Sequence, residues 1–406
     1  MADPGRSAAS IERELPTEEG RALLDLAIEL AEKELAPRAA AAEAAWDFPR
    51  ETFRQLGELG LLSVPIAQRW GGGGQPSVVY LQMLEELARG WLTVALGVSV
   101  HGLACSGVAE FGTDEQRTEF LPAMTDGSTL GAYCLSEAHA GSDAGALRTR
   151  AVREGAAASA AGGAADDGDY VITGDKAWVT HGPVADFYLL MARTGDDRSH
   201  GISTFLVPAG LAGLATGKPE RKMGLRGSAT STVHFDEVRV PARRRIGYEG
   251  QGFRIAMTAL DGGRLGIAAC AVGLAQAALD AAAEYASTRT AFRRPITEFQ
   301  GVSFLLADAA ARIAAARQLY LYAARRKDAG RPFATEAAMA KLIATDTAMA
   351  VTTDMVQVFG GAGYTEDHPV ERYMREAKML QIVEGTNQIQ RVVIARSLQQ
   401  SSRPQR

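Results

Sequence analysis

The chain has 406 residues, 47% of them hydrophobic and 22% charged, with 43 Lys and Arg against 48 Asp and Glu for a net charge of −5. That balance is ordinary for a globular protein and excludes collagen, coiled-coil and wholly disordered classes, while a mildly acidic chain without a basic block excludes a nucleic-acid binder. Three widely separated cysteines, Cys105, Cys134 and Cys270, exclude a disulfide scaffold or a CxxC centre. With an N-terminus that is acidic from Glu12 and lacks an apolar core, they fit a cytoplasmic, reducing home.

Residues 1–16 read as a flexible tail, and residues 17–128 as a helical domain. Leu23, Leu24, Ala27, Ile28, Ala31 and Leu35 recur at helical spacing, with Thr17 as a start signal and Pro37 as a stop. Residues 71–74 with Pro76 form a loop, and Ser77 opens another helix through Leu87. The longest apolar run, 91–104, falls short of the roughly 20 residues a bilayer span needs. It predicts a buried core helix and no membrane span.

From 129 to 241 the texture becomes β. Runs at 170–173, 178–180, 187–191, 203–208 and 232–240 predict a small antiparallel sheet domain. Inside the same region, ahead of the first of these runs, residues 154–169 are almost all Ala, Gly and Asp, the composition of a flexible loop between strands. From 242 to 400 the chain is helical and rich in Ala. Helices are expected at 252–287, 298–327, 335–359 and 370–398, the last with a break near Glu384, and residues 401–406 form a tail. Each is long enough for a four-helix bundle. The predicted class is α+β, mainly α.

Standard catalytic signatures are missing. The six histidines form no spaced ligand set, so no metal site is expected. There is no GxSxG or Walker A sequence. The glycines at 360, 361 and 363 follow a helix rather than a strand, so they read as a helix C-cap. Residues 133–143 suit either a plain connecting loop or a cradle for phosphate or ring nitrogen. Trp178 and Thr180 alternate onto one face of a strand, an apolar plane beside a hydroxyl. Arg289, Arg293 and Arg294 make either a solvated basic turn or a pyrophosphate clamp. Glu384 sits among apolar residues before Gly385 and Thr386, where burial would raise its pKa and a helix N-terminus would lower it.

These stretches occur together and in order in the acyl-CoA dehydrogenase flavoproteins, which the chain resembles from about Thr17 to Leu398. The specific segments are 133–143, 178–182, 222–228, 235–241, 261–264, 289–300, 357–364 and 384–391. The resemblance implies an N-terminal helical domain, a middle antiparallel β domain and a C-terminal four-helix bundle, in a homotetramer with FAD bound partly across a subunit interface. It implies that Tyr133, Leu135, Ser136, Gly141 and Ser142 line the flavin, that Trp178 stacks on its ring and that Thr180 bonds near its reactive nitrogen. Arg289, Phe292, Gln300, Gln357, Gly360 and Gly361 would reach the FAD of a neighbouring subunit, and Thr386 and Gln388 would touch the flavin. Ser142, Asp261, Arg264 and Gly385 would meet the acyl-CoA substrate.

Glu384 matches the family's catalytic base. Some relatives carry the base just before the substrate arginine instead; here that position is Gly263, which favours the short- and medium-chain branch. Departures from the common pattern are Ala138, Arg293 and Asn387-Gln388, none of which removes a group that carries chemistry. The implied reaction is α,β-dehydrogenation of an acyl-CoA thioester, with Glu384 taking the α-proton, FAD accepting the β-hydride and electron-transfer flavoprotein as acceptor. An acyl-CoA oxidase, a dehydrogenase of acyl-carrier-protein thioesters, and a non-catalytic flavin-binding scaffold are the alternatives on the same fold.

Overall fold

A computed structural model of the chain describes residues 13–154 and 168–401. Most of the expected flexible loop, residues 155–167, lies outside the described residues, as do 1–12 and 402–406 of the two expected tails.

Helix α1 spans Glu18–Leu30 and starts where expected, because the Thr17 hydroxyl accepts the N–H of Gly20 at 2.9 Å. Of the periodic residues, Leu24 and Ala27 of α1 and Ala31 and Leu35 beyond it are buried. Pro37 does not stop the helix. A π turn at Ala31–Leu35 leads into α2, Ala36–Ala45, with Pro37 in its first turn. There the missing N–H and the ring are accommodated. Of the expected N-terminal tail, the described residues 13 and 14 are held against the fold. Arg13 pairs with Glu85 at 2.9 Å and with Glu86, and the Glu14 N–H donates to Gln82. Glu85 is buried and also receives Arg317 Nε at 2.9 Å and the Tyr320 hydroxyl at 2.5 Å. A carboxylate taken out of water needs such partners, and they pin the chain at Arg13.

Helices α3 (Arg50–Glu58), α4 (Ser77–Gly90), α5 (Leu92–Phe111) and α6 (Asp114–Thr125) complete the N-terminal part. The carboxylate of Asp328, some 250 residues away, accepts the first N–H groups of α4 from Ser77 and Val78 at 2.8 and 3.1 Å. The apolar run at 91–104 forms most of α5 and is buried.

Eight strands follow: β1 (Gly131–Cys134), β2 (Arg150–Arg153), β3 (Tyr170–Thr180), β4 (Phe187–Arg193), β5 (Ile202–Pro208), β6 (Leu214–Thr216), β7 (Thr230–Val240) and β8 (Arg245–Ile246). They form one sheet in the order β6-β7-β3-β2-β4-β5-β8, with β1 beside β4. The sheet is mixed rather than purely antiparallel. β1 runs parallel to β4 through four residue pairs, and β2 meets β4 in parallel at Arg150 and Arg193. β1 enters from α6 and pairs with a strand more than fifty residues on, the long connection that parallel pairing requires.

The C-terminal part begins with α7 (Gly252–Thr288), continues through a short hairpin of β9 (Thr290–Ala291) and β10 (Arg294–Pro295), and then α8 (Gln300–Asp328) and α9 (Ala334–Phe359). The fourth expected helix is two helices, α10 (Val370–Leu380) and α11 (Asn387–Ser401). The chain breaks over 381–386, where Glu384 and Gly385 have φ of +52° and +90°. One apolar core joins residues of α1, α4 and α5 to those of α7, α8 and α9. The approach is close: a Cβ on Gly273 of α7 would meet the carbonyl oxygen of Glu85 in α4 at 2.1 Å. By length and composition α5 and α7 could cross a membrane, yet 83% of the most apolar stretch of each is buried inside the fold.

Candidate active site

Glu384 stands in the turn between α10 and α11. Its backbone lies in the left-handed region, a strained placement for a residue with a Cβ. Gln390, buried on α11, donates to the carbonyls of Gly385 at 2.7 Å and Glu384 at 3.3 Å, which holds the turn. The side chain reaches the surface of α7 at Gly263. A Cβ there would sit 2.0 Å from Glu384 Oε2, so only glycine leaves room for the carboxylate. Both carboxylate oxygens are shut off from solvent and have no hydrogen-bond partner among the described residues. Burial pushes this carboxyl up to about 8, against the opposing pull of Lys341 and Arg264. An unpartnered carboxylate with a pKa near neutrality is a ready general base.

The carboxylate faces a cavity of about 780 Å³ between the sheet and the bundle. From β1 and its following loop come Tyr133, Leu135, Ser136, Gly141 and Ser142; from β3, Trp178 and Thr180; from α7, Phe253, Met257, Leu260 and Arg264; from the broken turn, Glu384, Gly385 and Thr386. Trp178 remains 63% exposed although it lines a cavity. It sits at a β-bulge, with φ +60° and a register shift between Lys176 and Val179 against β7. Such a bulge re-aims a side chain, so Trp178 and Thr180 share the cavity despite the interrupted strand.

The 135–149 loop owes its shape to one buried ion pair. Glu137 accepts the N–H groups of Arg148 at 2.6 Å and Thr149 at 2.9 Å and pairs with Lys176 at 2.9 Å. Lys176 also donates to the Leu135 carbonyl at 3.0 Å. Burial pushes the Glu137 carboxyl up, but Lys176 and these N–H groups outweigh it and hold it below its ordinary value. The loop's own polar groups can therefore face the cavity.

A second cavity of about 450 Å³ lies between α4, α5 and α7, lined by Tyr80, Ser99, Gly102, Ser106, Thr258 and Gly263 among others. Leu103 borders both spaces.

The remaining expected site residues are elsewhere. Asp261 accepts Arg264 Nη1 at 2.5 Å and so backs that guanidinium rather than lining the cavity. Gln388 is exposed on the first turn of α11. Arg289 and Phe292 in the α7–α8 connection and Gln300 at the start of α8 are exposed, and so are Gln357, Gly360 and Gly361 at the end of α9. Tyr285 of α7 stacks on Phe359 of α9 with centroids 4.1 Å apart, which brings these two groups to one end of the bundle. The sequence reading missed Gln390, Lys341 and the α5 wall at Leu96, Val100 and Leu103. Lys341 carried a signal: it falls on the same helical face as Ala337, Ala340 and Ala344, a lysine among core positions.

Three family profiles match the chain: the acyl-CoA dehydrogenase N-terminal domain over residues 17–128, the middle domain over 132–238 and the C-terminal domain over 250–399. An acyl-CoA dehydrogenase of Bacillus subtilis is 42% identical over 372 residues, 91% of this chain and 95% of that protein. The structure of butyryl-CoA dehydrogenase from Megasphaera elsdenii superposes with a TM-score of 0.90 at 40% identity, covering 96% of this chain and 100% of the other. A chain in a structure of the electron transferring flavoprotein of Acidaminococcus fermentans superposes with a TM-score of 0.89 at 41% identity, covering 96% and 99%.

Proposed function

The chain belongs to the acyl-CoA dehydrogenase family, and from that membership we propose how its own residues carry out the oxidation of an acyl-CoA thioester to the trans-2-enoyl thioester. The cofactor of the family is FAD, and the residues present fit it. The exposed Trp178 offers a stacking plane, the hydroxyls of Ser136, Ser142 and Thr180 border the same cavity, and a Cβ on Gly141 would meet nothing within 4 Å, so the rim is open. Bound FAD supplies the acceptor for the hydride that leaves the β-carbon.

In this reading the Glu384 carboxylate accepts the α-proton. The N–H of Glu384 has no partner among the backbone hydrogen bonds of the described residues, and it donates to the thioester oxygen as charge develops there. Trp178 and Thr180 orient the flavin ring, together with Tyr133, Leu135 and Thr386. Arg264, backed by Asp261, and Gly385 hold the substrate, with Ser142 toward the CoA arm. The acyl tail runs past Leu103 toward the second cavity. Water is kept from the carboxylate by the same packing that raises its pKa.

Arg289, Phe292, Gln300, Gln357, Gly360 and Gly361 belong to an FAD site shared with a neighbouring subunit of a homotetramer, and Gln388 faces the same flavin. The 90% exposure of Phe292, at φ +50°, supports a partner surface there. The likeness to butyryl-CoA dehydrogenase supports short-chain acyl groups, and the likeness to a chain found with an electron transferring flavoprotein supports that protein as acceptor. Three buried, free cysteines support a cytoplasmic setting.

The observation that carries the reading is the Glu384 carboxylate, shut off from solvent and unpartnered at the cavity wall. Glu384→Gln tests it. The amide is nearly isosteric, so fold and FAD content stay, while turnover falls by at least ~10²-fold. Turnover near the wild-type rate would overturn the assignment.

A further inference from the structure

Lys341 lies about two turns into α9 with its side chain wholly buried. A lysine is rarely placed so unless its ammonium is matched. Here it donates to the carbonyl of Gly385 at 3.1 Å and to Asn387 Oδ1 at 2.8 Å. Those acceptors belong to the broken turn and to the first residue of α11. Asn387 in turn donates to Thr345 Oγ1 at 3.0 Å and to Asp346 at 2.7 Å. Asp346 also receives Gln381 Nε2 at 2.7 Å and Arg391 at 3.2 Å. So α9 grips the turn at both ends through Asp346 and in the middle through Lys341. A non-glycine residue in the left-handed region persists only where its surroundings over-determine it, and this grip does so for Glu384.

We propose that Lys341 is a positioning residue for the catalytic carboxylate: its ammonium locks the left-handed turn that aims Glu384 across Gly263 and provides the positive charge that keeps this carboxylate ionisable in a dry site. It does so without a hydrogen bond to the carboxylate, whose two oxygens are unpartnered.

The charge around the pair is sparse. Arg264 of α7 also draws the Glu384 carboxyl down. Cys270 of α7, Tyr80 of α4 and Tyr133 of β1 face Glu384 too, and burial keeps all three protonated. Lys341 is lowered to about 8 by burial, against the raising influence of Glu384 and Asp346. Burial thus drives the Glu384 carboxyl up and the Lys341 ammonium down while each opposes the shift of the other, so an acid limb in the rate profile would belong to the pair. Without the lysine charge, burial dominates and the limb moves to higher pH.

The proposal rests on Glu384 being the base, and two variants separate the readings. Lys341→Met keeps the apolar stem and removes charge and donors; Lys341→Gln keeps one donor for Gly385 and removes the charge. For each, kcat, KM and the acid limb of kcat/KM are measured with butyryl-CoA and a dye acceptor, beside the FAD-to-protein ratio. The expected result is kcat lower by about tenfold or more at pH 7, with KM and FAD content within about twofold and the limb shifted up by about one pH unit or more. An unmoved limb in a folded variant overturns the proposal. So does loss of fold or FAD in both variants, which makes Lys341 a core residue only. An active Glu384→Gln removes the base itself, whereas an inactive Glu384→Gln beside an unmoved Lys341→Met limb removes only the role of Lys341.

Discussion

Gly263→Ala is the sharpest test of the site, because it adds one methyl group at a distance the structure specifies. The new Cβ would stand 2.0 Å from Glu384 Oε2 and 3.0 Å from Leu103 Cδ2, where ordinary contact begins near 3.4 Å. The carboxylate must therefore retreat by about 1.4 Å, the difference between those two distances. A misplacement of about 1 Å in a reacting group costs on the order of 10²-fold in rate. Folding should not suffer in step. Alanine is favoured over glycine within a helix by about 1 kcal/mol, which offsets much of the ~1–3 kcal/mol of overpacking. The assay is anaerobic bleaching of the flavin by butyryl-CoA in stopped flow, with thermal melting and FAD content alongside. The expected outcome is reduction slowed by about 10²-fold at nearly unchanged melting temperature and FAD content. Reduction within about threefold of wild type, with Glu384→Gln inactive, would refute the claim that Gly263 makes room for the base.

Two further outcomes follow from groups away from the carboxylate. Arg289→Ala should lower the FAD-to-protein ratio and loosen the assembly on light scattering if its exposed guanidinium serves the intersubunit FAD site proposed above; full FAD in an intact assembly would point to Arg293 or Arg294 instead. His101 and His181 clamp Gly131 at the start of β1: the Gly131 N–H donates to His101 Nδ1 at 2.9 Å, and His181 Nδ1–H donates to the Gly131 carbonyl at 3.0 Å. Burial lowers both rings to about 4, so the unfolded chain binds more protons than the folded one between about pH 6.5 and 4. Their contribution is complete above pH 6.5 and is lost as pH falls through 4, at about 1.4 kcal/mol for each pH unit separating the folded ring from the unfolded one. Urea midpoints measured from pH 7.5 to 4.5 should fall less steeply for His181→Asn than for wild type; parallel slopes would count against the clamp.

Local pattern exposed the elements whose causes are local. The Thr17 cap, the 3.6-residue rhythm of α1 and the β-rich runs at 170–173, 178–180 and 232–240 could be read directly, because capping and alternation act within a few residues, although the first two runs belong to one strand, β3. Pro37 misled, since a π turn upstream absorbs what a proline costs an α-helix. The parallel pairing of β1 with β4 had no local sign, because it depends on partners more than fifty residues apart. Glu384, the Trp178 indole and the 133–143 loop are each ambiguous alone. What makes them a site is a cavity whose walls come from α5, the sheet, α7 and the broken turn together. Lys341 shows in the pattern only as a lysine on a core helical face; its role has no motif, because its partners are a backbone carbonyl and an amide.

The shared core of the helical parts has a consequence for biosynthesis. A ribosome delivers α4 and α5 long before α7, yet it is α7 that covers them, down to the contact of Gly273 with the backbone of α4. At roughly 5–20 residues per second the interval is on the order of ten to thirty seconds. During it α5 can pack against α4, α6 and β1, but the side that α7 covers in the folded chain stays open while the sheet emerges. The cap of α4 waits longest, because Asp328 emerges some 250 residues after the N–H groups of Ser77 and Val78 that it accepts.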